Sequence, residues 1–291
     1  MPRRPASGAS ILNYRHIYHA GNFADVFKHV VLLMLLEHFQ RKQTPYCYVD
    51  THAGAGLYDL TSEQALKTGE ALDGILRLQA TGEMPEAVAR YRDAILELNR
   101  QQGDDGLRWY PGSPWLARFV ARPQDRLALC ELHPETQATL KAHFHRDRQV
   151  QVQLLDAYTA MRALLPPKER RGMVLIDPPF ERTDEFTAIV TALAQAMKRW
   201  PGGTYAVWYP IKHRDPVQKF HNRLKNSGIR NIFVQEFIID SQLTADKLNG
   251  CGMAIINPPW QLPNQLDSVM PWLIKAIAPN GMAPAFQLVG E

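Results

Sequence analysis

The stretch that decides the fold is Gly172-Met173-Val174-Leu175-Ile176-Asp177-Pro178-Pro179-Phe180. A short apolar run bounded by a glycine predicts a buried parallel strand. An acid, two prolines and an aromatic follow at its C-terminal end. Each proline fixes its own φ and pushes the preceding residue out of the helical region. The product is a stiff loop with a carboxylate at one end and a ring at the other. In open α/β sheets, ligands bind beyond the carboxyl ends of the strands. This loop is therefore expected to hold a flat, hydrogen-bonding group in a fixed pose.

Working back from it, three more strand-like runs end in acids. Val150 to Leu155 leads to Asp156, Leu127 to Cys130 leads to Glu131, and Tyr46 to Val49 leads to Asp50. An acid after a second strand can accept both hydroxyls of a ribose. Asp50 runs into Thr51-His52-Ala53-Gly54-Ala55-Gly56, whose glycines let backbone approach a ligand closely. This is not the dinucleotide fingerprint, because Asp59 stands where the third glycine belongs. Asp50, Glu131, Asp156 and Asp177 are expected to converge on one edge of the sheet.

Working forward, the pattern gives a helix over 184–199, a strand from Tyr205 to Tyr209 and a helix over 213–227. Strands from Ile232 to Ile239 and Gly252 to Ile256 follow, then a helix over 264–278. Alternating strands and helices predict an α/β fold, a doubly wound Rossmann-like sheet of seven strands. Between the first two strands the chain carries more than a simple crossover needs. The surplus, 62–108, is expected as a small helical insertion at the rim of the site, with helices from Glu63 to Leu78 and Pro85 to Asn99. Ser113 and Pro114 supply an N-cap and a first helical residue for a helix over 114–121. A further helix is expected over 135–146.

Residues 1–10 are expected as a flexible tail, leaving 11–291 for the domain. Asn13-Tyr14-Arg15-His16-Ile17-Tyr18-His19-Ala20-Gly21-Asn22 is aromatic and histidine-rich. Asn22 or Gly21 can cap a helix over 23–42 with an apolar face of Val26, Val30, Leu33 and Leu36. Lys28 and His29 stand out on that helix; for Lys28 the plain alternative is a solvated face. His16 and His19 are spaced as metal ligands could be, but no third ligand is in register, so no metal is expected.

The composition is that of an ordinary globular protein, with 45% hydrophobic and 21% charged residues and a formal charge of +4. A mild excess of positive charge is compatible with a nucleic-acid partner and weak evidence for one. Cys47, Cys130 and Cys251 lie far apart in apolar runs, which points to buried thiols in a reducing compartment. No signal-peptide core and no membrane-length apolar run is present, so a cytoplasmic protein is expected, as a monomer and with no membrane partner.

Taken together, Tyr-Arg-His-x-x-His-Ala-Gly-Asn with Asp-Val-x-Lys-His, Asp-Thr-His-Ala-Gly-Ala-Gly, Tyr-Pro-Gly-Ser-Pro, Glu-Leu-His-Pro and Asp-Pro-Pro-Phe resemble the RlmJ family. These are 23S rRNA adenine-N6 methyltransferases, of the class I type that uses S-adenosylmethionine. The resemblance runs from about Tyr14 to the C-terminal strand and helix. It implies cofactor contacts at His29, His52, Ser113, Glu131, Asp156, the Ala157 backbone and Asp177. It implies a catalytic loop of Asp177, Pro178 and Phe180, and a substrate side of Tyr14, His16 and Lys28, with Lys28 touching a phosphate or base. The family has glycine where this chain has Ala157, which a backbone contact tolerates. Its tetrad often ends in tyrosine, so Phe180 keeps the stacking face and lacks the hydroxyl. The same tetrad also serves DNA adenine-N6 and protein glutamine-N5 methyltransferases, and a non-catalytic RNA-binding protein could retain the scaffold.

Asn257-Pro258-Pro259-Trp260 also fits the tetrad pattern. It follows the last expected strand, which in this fold runs antiparallel, so a structural role is expected for it. Two basic groups, Lys168 with Arg170 and Arg171, and Lys212 with His213 and Arg214, are candidate phosphate contacts or ordinary charged loops.

Overall fold

The computed structural model describes residues 14–79, 83–240, 244 and 247–290. The expected tail, 1–10, lies outside the described residues. The strands are β1 (Cys47–Asp50), β2 (Leu57–Asp59), β3 (Trp109–Pro111), β4 (Arg126–Glu131), β5 (Val150–Leu154), β6 (Gly172–Ile176), β7 (Thr204–Ile211), β8 (Ile232–Ile238), β9 (Gly250–Ile256) and β10 (Ala285–Val289). The α-helices are α1 (Phe23–Gln40), α2 (Glu63–Thr68), α3 (Ile75–Gln79), α4 (Glu86–Gln101), α5 (Ser113–Val120), α6 (Pro134–His143), α7 (Ala157–Leu164), α8 (Glu185–Arg199), α9 (Arg214–Asn226) and α10 (Leu262–Ile277).

The main sheet has the order β10-β8-β9-β7-β6-β1-β4-β5. Strands β7, β6, β1, β4 and β5 are parallel neighbours. β9 is inserted between β7 and β8 and runs antiparallel to both. Side chains alternate across the sheet as the two-residue repeat requires. Tyr48, Leu127, Leu129, Met173 and Leu175 join one core with α1, α5 and α10. Val49, Val174 and Ile176 join another with Met161, Ile189, Leu193 and Phe220 on α7, α8 and α9. Both faces are covered, which explains why the parallel strands read as continuous apolar runs rather than alternating ones.

Eight strands form the sheet, where seven were expected. The addition is β10, whose Ala285, Phe286 and Gln287 are exposed, so an edge strand left no apolar run to read. β2 and β3 pair as a short antiparallel ribbon at the base of the insertion. The expected helix from Glu63 to Leu78 is broken into α2, a 3₁₀ turn over Glu70–Asp73, and α3. Gly69 ends α2 at φ +63°, and a Cβ on Gly74 would lie 2.1 Å from the Gly21 carbonyl oxygen. That close approach seats the insertion against the N-terminal segment. α4 does not stand at a rim: its Val88, Tyr91, Ala94 and Ile95 share the main core with α1. Wrapped by α4, α5 and α10, α1 is buried on all sides from Phe23 to Leu36, not on one face. Its cap is Asn22, whose side chain accepts from Asp25 N. Ser113 is the first residue of α5, and Gly112 takes the cap position.

Candidate active site

A cleft of about 1690 Å³ opens over the carboxyl ends of the parallel strands. Tyr14, His16, Lys28, His29, His52, Ser113, Glu131, Asp156, Ala157, Asp177, Pro178 and Phe180 all line it. Asp50 is the exception among the four strand-end acids. It is fully buried beneath the cleft, accepting from Tyr48 Oη (2.7 Å), Ser113 Oγ (2.6 Å) and His52 N (3.2 Å). Burial pushes its carboxyl up to about 6, against the pull of the Ser113 and Tyr48 bonds. Asp50 thus ties β1 to the start of α5 and sets where Ser113 sits.

The glycine turn is held by the next acid along. Glu131 accepts Gly54 N with Oε2 (2.9 Å) and His133 N with Oε1 (2.8 Å). Gly54 has φ +63°, and a Cβ there would meet the Tyr58 hydroxyl at 2.4 Å, so the turn favours glycine. Asp156 caps α7, accepting Tyr158 N (3.1 Å) and Thr159 N (3.0 Å). Its carboxyl is lowered because these bonds outweigh a burial penalty. Burial holds His52 down at about 4, so its imidazole is neutral at pH 7. His29 is likewise held well below the usual histidine range, by burial and then by the Lys28 charge. Its Nδ1 meets Tyr110 Oη at 2.8 Å, while its Nε2 is buried with no hydrogen-bond partner.

The tetrad loop is fixed from both sides. Phe180 sits at φ +52°, a left-handed conformation that costs a non-glycine residue about 1–2 kcal/mol. Phe186 at 5.0 Å and Trp208 at 6.0 Å between ring centroids hold it there. Asp177 Oδ2 accepts from Lys28 Nζ at 2.7 Å, and Lys28 also meets Asp25 Oδ1 at 2.8 Å. Lys28 is only 5% exposed, which rules out the solvated helix face. Burial alone would lower its pKa, but Asp177 and Asp25 outweigh it and hold the ammonium well above its usual value. Burial pushes Asp25 up, and His16 and Lys28 override this to hold it well below the carboxylate range. His16 Nε2 reaches Asp25 Oδ2 at 2.9 Å, and the Tyr14 hydroxyl meets His16 Nδ1 at 2.9 Å. A continuous polar chain therefore runs Tyr14, His16, Asp25, Lys28, Asp177.

Two residues of this arrangement were given no role from the sequence. Asp25 was available as an acid in the first turn of α1, three residues before Lys28, a spacing that lets the two meet. Glu70, in the insertion, accepts Asn22 Nδ2 (2.9 Å) and meets His19 Nδ1 (2.9 Å), and nothing local marked it. His19 in turn stacks on Tyr14 at 5.5 Å. His16 and His19 thus bond to different acids, and no metal-ligating cluster occurs among the described residues.

Lys212 and His213 line the cleft, while Arg214 pairs with Glu236. The Lys168 group lies before β6, at the opposite end of the strands. There Arg171 donates to the Thr44 and Phe39 carbonyls, a structural tie that favours the second of the two readings given for this group, an ordinary charged loop.

A mostly parallel sheet with β9 and β10 reversed, a glycine turn held by a strand-end acid, and an Asp-Pro-Pro-aromatic loop over the same edge define a class I methyltransferase. Residues 43–286 match the family model described as ribosomal RNA large subunit methyltransferase D, RlmJ. The ribosomal RNA large subunit methyltransferase J of Escherichia coli is 40% identical over 94% of this chain and 97% of its own. The protein of the same name from Haemophilus influenzae is 42% identical over 93% and 96%. A crystal structure of a Legionella pneumophila protein, 34% identical, superposes with a TM-score of 0.84 over 92% of this chain and 98% of that one. This chain belongs to the RlmJ family of ribosomal RNA large subunit methyltransferases. No helix among the described residues is long and apolar enough to cross a membrane.

Proposed function

We propose that the protein transfers a methyl group from S-adenosylmethionine to the N6 amine of an adenine in 23S rRNA. The observation that carries this is the Asp177 carboxylate, fixed over the cleft by Lys28 through one oxygen while Oδ1 makes no hydrogen bond among the described residues.

The residues fit the methyl donor. The cleft offers a buried, unpartnered His29 Nε2, the Glu131 and Asp156 carboxylates and the close-packed Gly54 turn. His29, His52, Ser113, Glu131, Asp156 and the Ala157 backbone would hold it. The donor supplies a methyl on a sulfonium, so it arrives already activated. The protein's task is then mainly orientation. An exocyclic adenine amine is a poor nucleophile because its lone pair is delocalised into the ring. The Asp177 Oδ1 and the Pro178 carbonyl can accept its two N–H groups, which favours a pyramidal nitrogen. Asp177 accepts the proton released. Phe180 stacks on the base, worth about 1–3 kcal/mol, and Tyr14 flanks it. Lys28 acts through Asp177 rather than on a phosphate, because both its carboxylate partners are already in place. The base must leave its stack to enter, at a cost of a few kcal/mol that is least for an unpaired nucleotide.

The test offers protein-free 23S rRNA, duplex DNA and ribosomal protein side by side with radiolabelled S-adenosylmethionine. N6-methyladenosine in the rRNA alone is the expected product by mass spectrometry. Label only in DNA or protein would overturn the substrate. We read the enzyme further as a cytoplasmic monomer; sedimentation of the purified protein checks the monomer, and fractionation of cells checks the location.

A further inference from the structure

We propose that a groove beside the cleft is a second RNA contact that grips phosphates of the substrate away from the target base. This rests on the rRNA reading above. The groove, about 720 Å³, lies between α4, α5 and the turn from α6 to β5.

Its outer wall is the segment His143-Phe144-His145-Arg146-Asp147-Arg148-Gln149. Asp147 is the one acid in it, and it is committed to Arg118 and to Gln149 N. Arg146 and Arg148 are exposed and make no ion pair among the described residues. Two permanently charged, weakly hydrated guanidinium groups thus stand free, the geometry that phosphate oxygens satisfy. The inner wall is aromatic. Trp115 packs on Phe144 at 4.9 Å, its indole Nε1 buried without an acceptor, and Phe119 is 45% exposed. An apolar partner would leave the arginines unpaired, and an acidic protein would leave the ring unused. RNA presents both phosphates and stackable faces.

The groove continues from the cleft. Thr139 of α6 lines the cleft, and His143, four residues on and on the same helix face, lines the groove. Gly112 and Ser113 line the one, Pro111 and Trp115 the other. The ten residues of α6 span about 15 Å, the reach of a few nucleotides. A strand leaving the cleft along α6 would arrive at Arg146 and Arg148. Binding energy gained there can offset the cost of unstacking the target base.

The experiment compares the wild type with Arg146→Ala/Arg148→Ala by filter binding to protein-free 23S rRNA across a salt series, together with methylation kinetics. Arg223→Ala/Lys225→Ala, on the exposed side of α9, controls for lost net charge. The groove variant should bind about tenfold more weakly at 0.1 M salt, and its log–log salt slope should fall by about 1.5. Its KM for rRNA should rise while kcat and S-adenosylmethionine affinity stay unchanged. Equal weakening by the control pair, or unchanged affinity and slope, would overturn the proposal. So would a change in sedimentation of the variant alone with RNA affinity intact, which would make the groove a contact between copies. Tight, groove-dependent RNA binding by a wild type that methylates none of the RNA would sink the proposed reaction and leave the groove standing.

Discussion

The chain carries two copies of one local pattern, Asp177-Pro178-Pro179-Phe180 and Asn257-Pro258-Pro259-Trp260, and the fold uses them oppositely. Each follows a buried strand. β6 is parallel to β7, with Ile176 beside Val207, so Asp177 emerges at the cleft edge. β9 is antiparallel to β7, with Ile256 beside Tyr205, so Asn257 emerges at the far edge. The first tetrad places its left-handed residue at the aromatic, Phe180, and aims a carboxylate at a buried lysine. The second places it at Asn257, φ +52°, whose Nδ2 donates to the Pro201 and Gly203 carbonyls at 2.8 Å each. Its carbonyl accepts Thr204 Oγ1 at 3.0 Å. Phe180 is packed between rings, whereas Trp260 is 76% exposed. The two tetrads therefore share residue types but not a backbone shape, and strand direction decides which becomes a site and which a staple.

The contrast is sharpest at the first residue of each tetrad. Asp177→Asn keeps the shape and loses the charge, and methyl transfer in single-turnover assays should fall about 10³-fold or more. A variant retaining a tenth of wild-type rate would make Asp177 a structural residue like Asn257. Lys28→Met tests the support behind it. It leaves two carboxylates that had shared one nitrogen, and should cost about 3–5 kcal/mol in urea unfolding. Lys28 is one of the charges that hold Asp25 low, so in the variant the stability lost on acidification should be lost at higher pH. An unmoved acid limb of the stability profile would detach Lys28 from the charge chain behind the first tetrad.

At the second tetrad, Asn257→Asp restores the acid of the motif yet sets it against two carbonyl oxygens. Stability should drop by about 3 kcal/mol while kcat and KM of the folded enzyme hold. Activity lost in Asn257→Asp without loss of stability would break the comparison. The aromatic positions separate by smaller amounts. Phe180→Leu should raise KM for rRNA about tenfold. Trp260→Ala should change stability by no more than about 0.5 kcal/mol and leave both kinetic constants alone.

Much of this was legible in the sequence, and for a local reason. The strands with acids at their ends, the Gly54 turn and the tetrad loop are short-range patterns, and His52, Glu131, Asp156, Ala157, Asp177, Pro178 and Phe180 sit within a few positions of one, whereas Tyr14, His16, Lys28, His29 and Ser113 were placed by the family resemblance. What stayed hidden was long-range or weakly patterned. β10 has little buried surface to advertise it, and Asp50 reads like the other strand-end acids although its bond to Ser113 takes it under the floor. The insertion's part in the site depends on Glu70 reaching His19 and Asn22, roughly fifty residues earlier.

The sequence by itself determined every strand of the main sheet except β10, most of the helices, the carboxyl-edge location of the cleft and the family, because hydrophobic period, proline and glycine act on the nearest few residues. Only the tertiary structure decided that α1 is buried all round and that Asp25 and Asp177 meet on Lys28; that the second tetrad leaves a reversed strand was expected from the fold, and β9 does run antiparallel to β7. Those outcomes depend on which strands pair and in which direction. Pairing joins segments far apart in the chain, and its cost and reward appear only when the sheet closes.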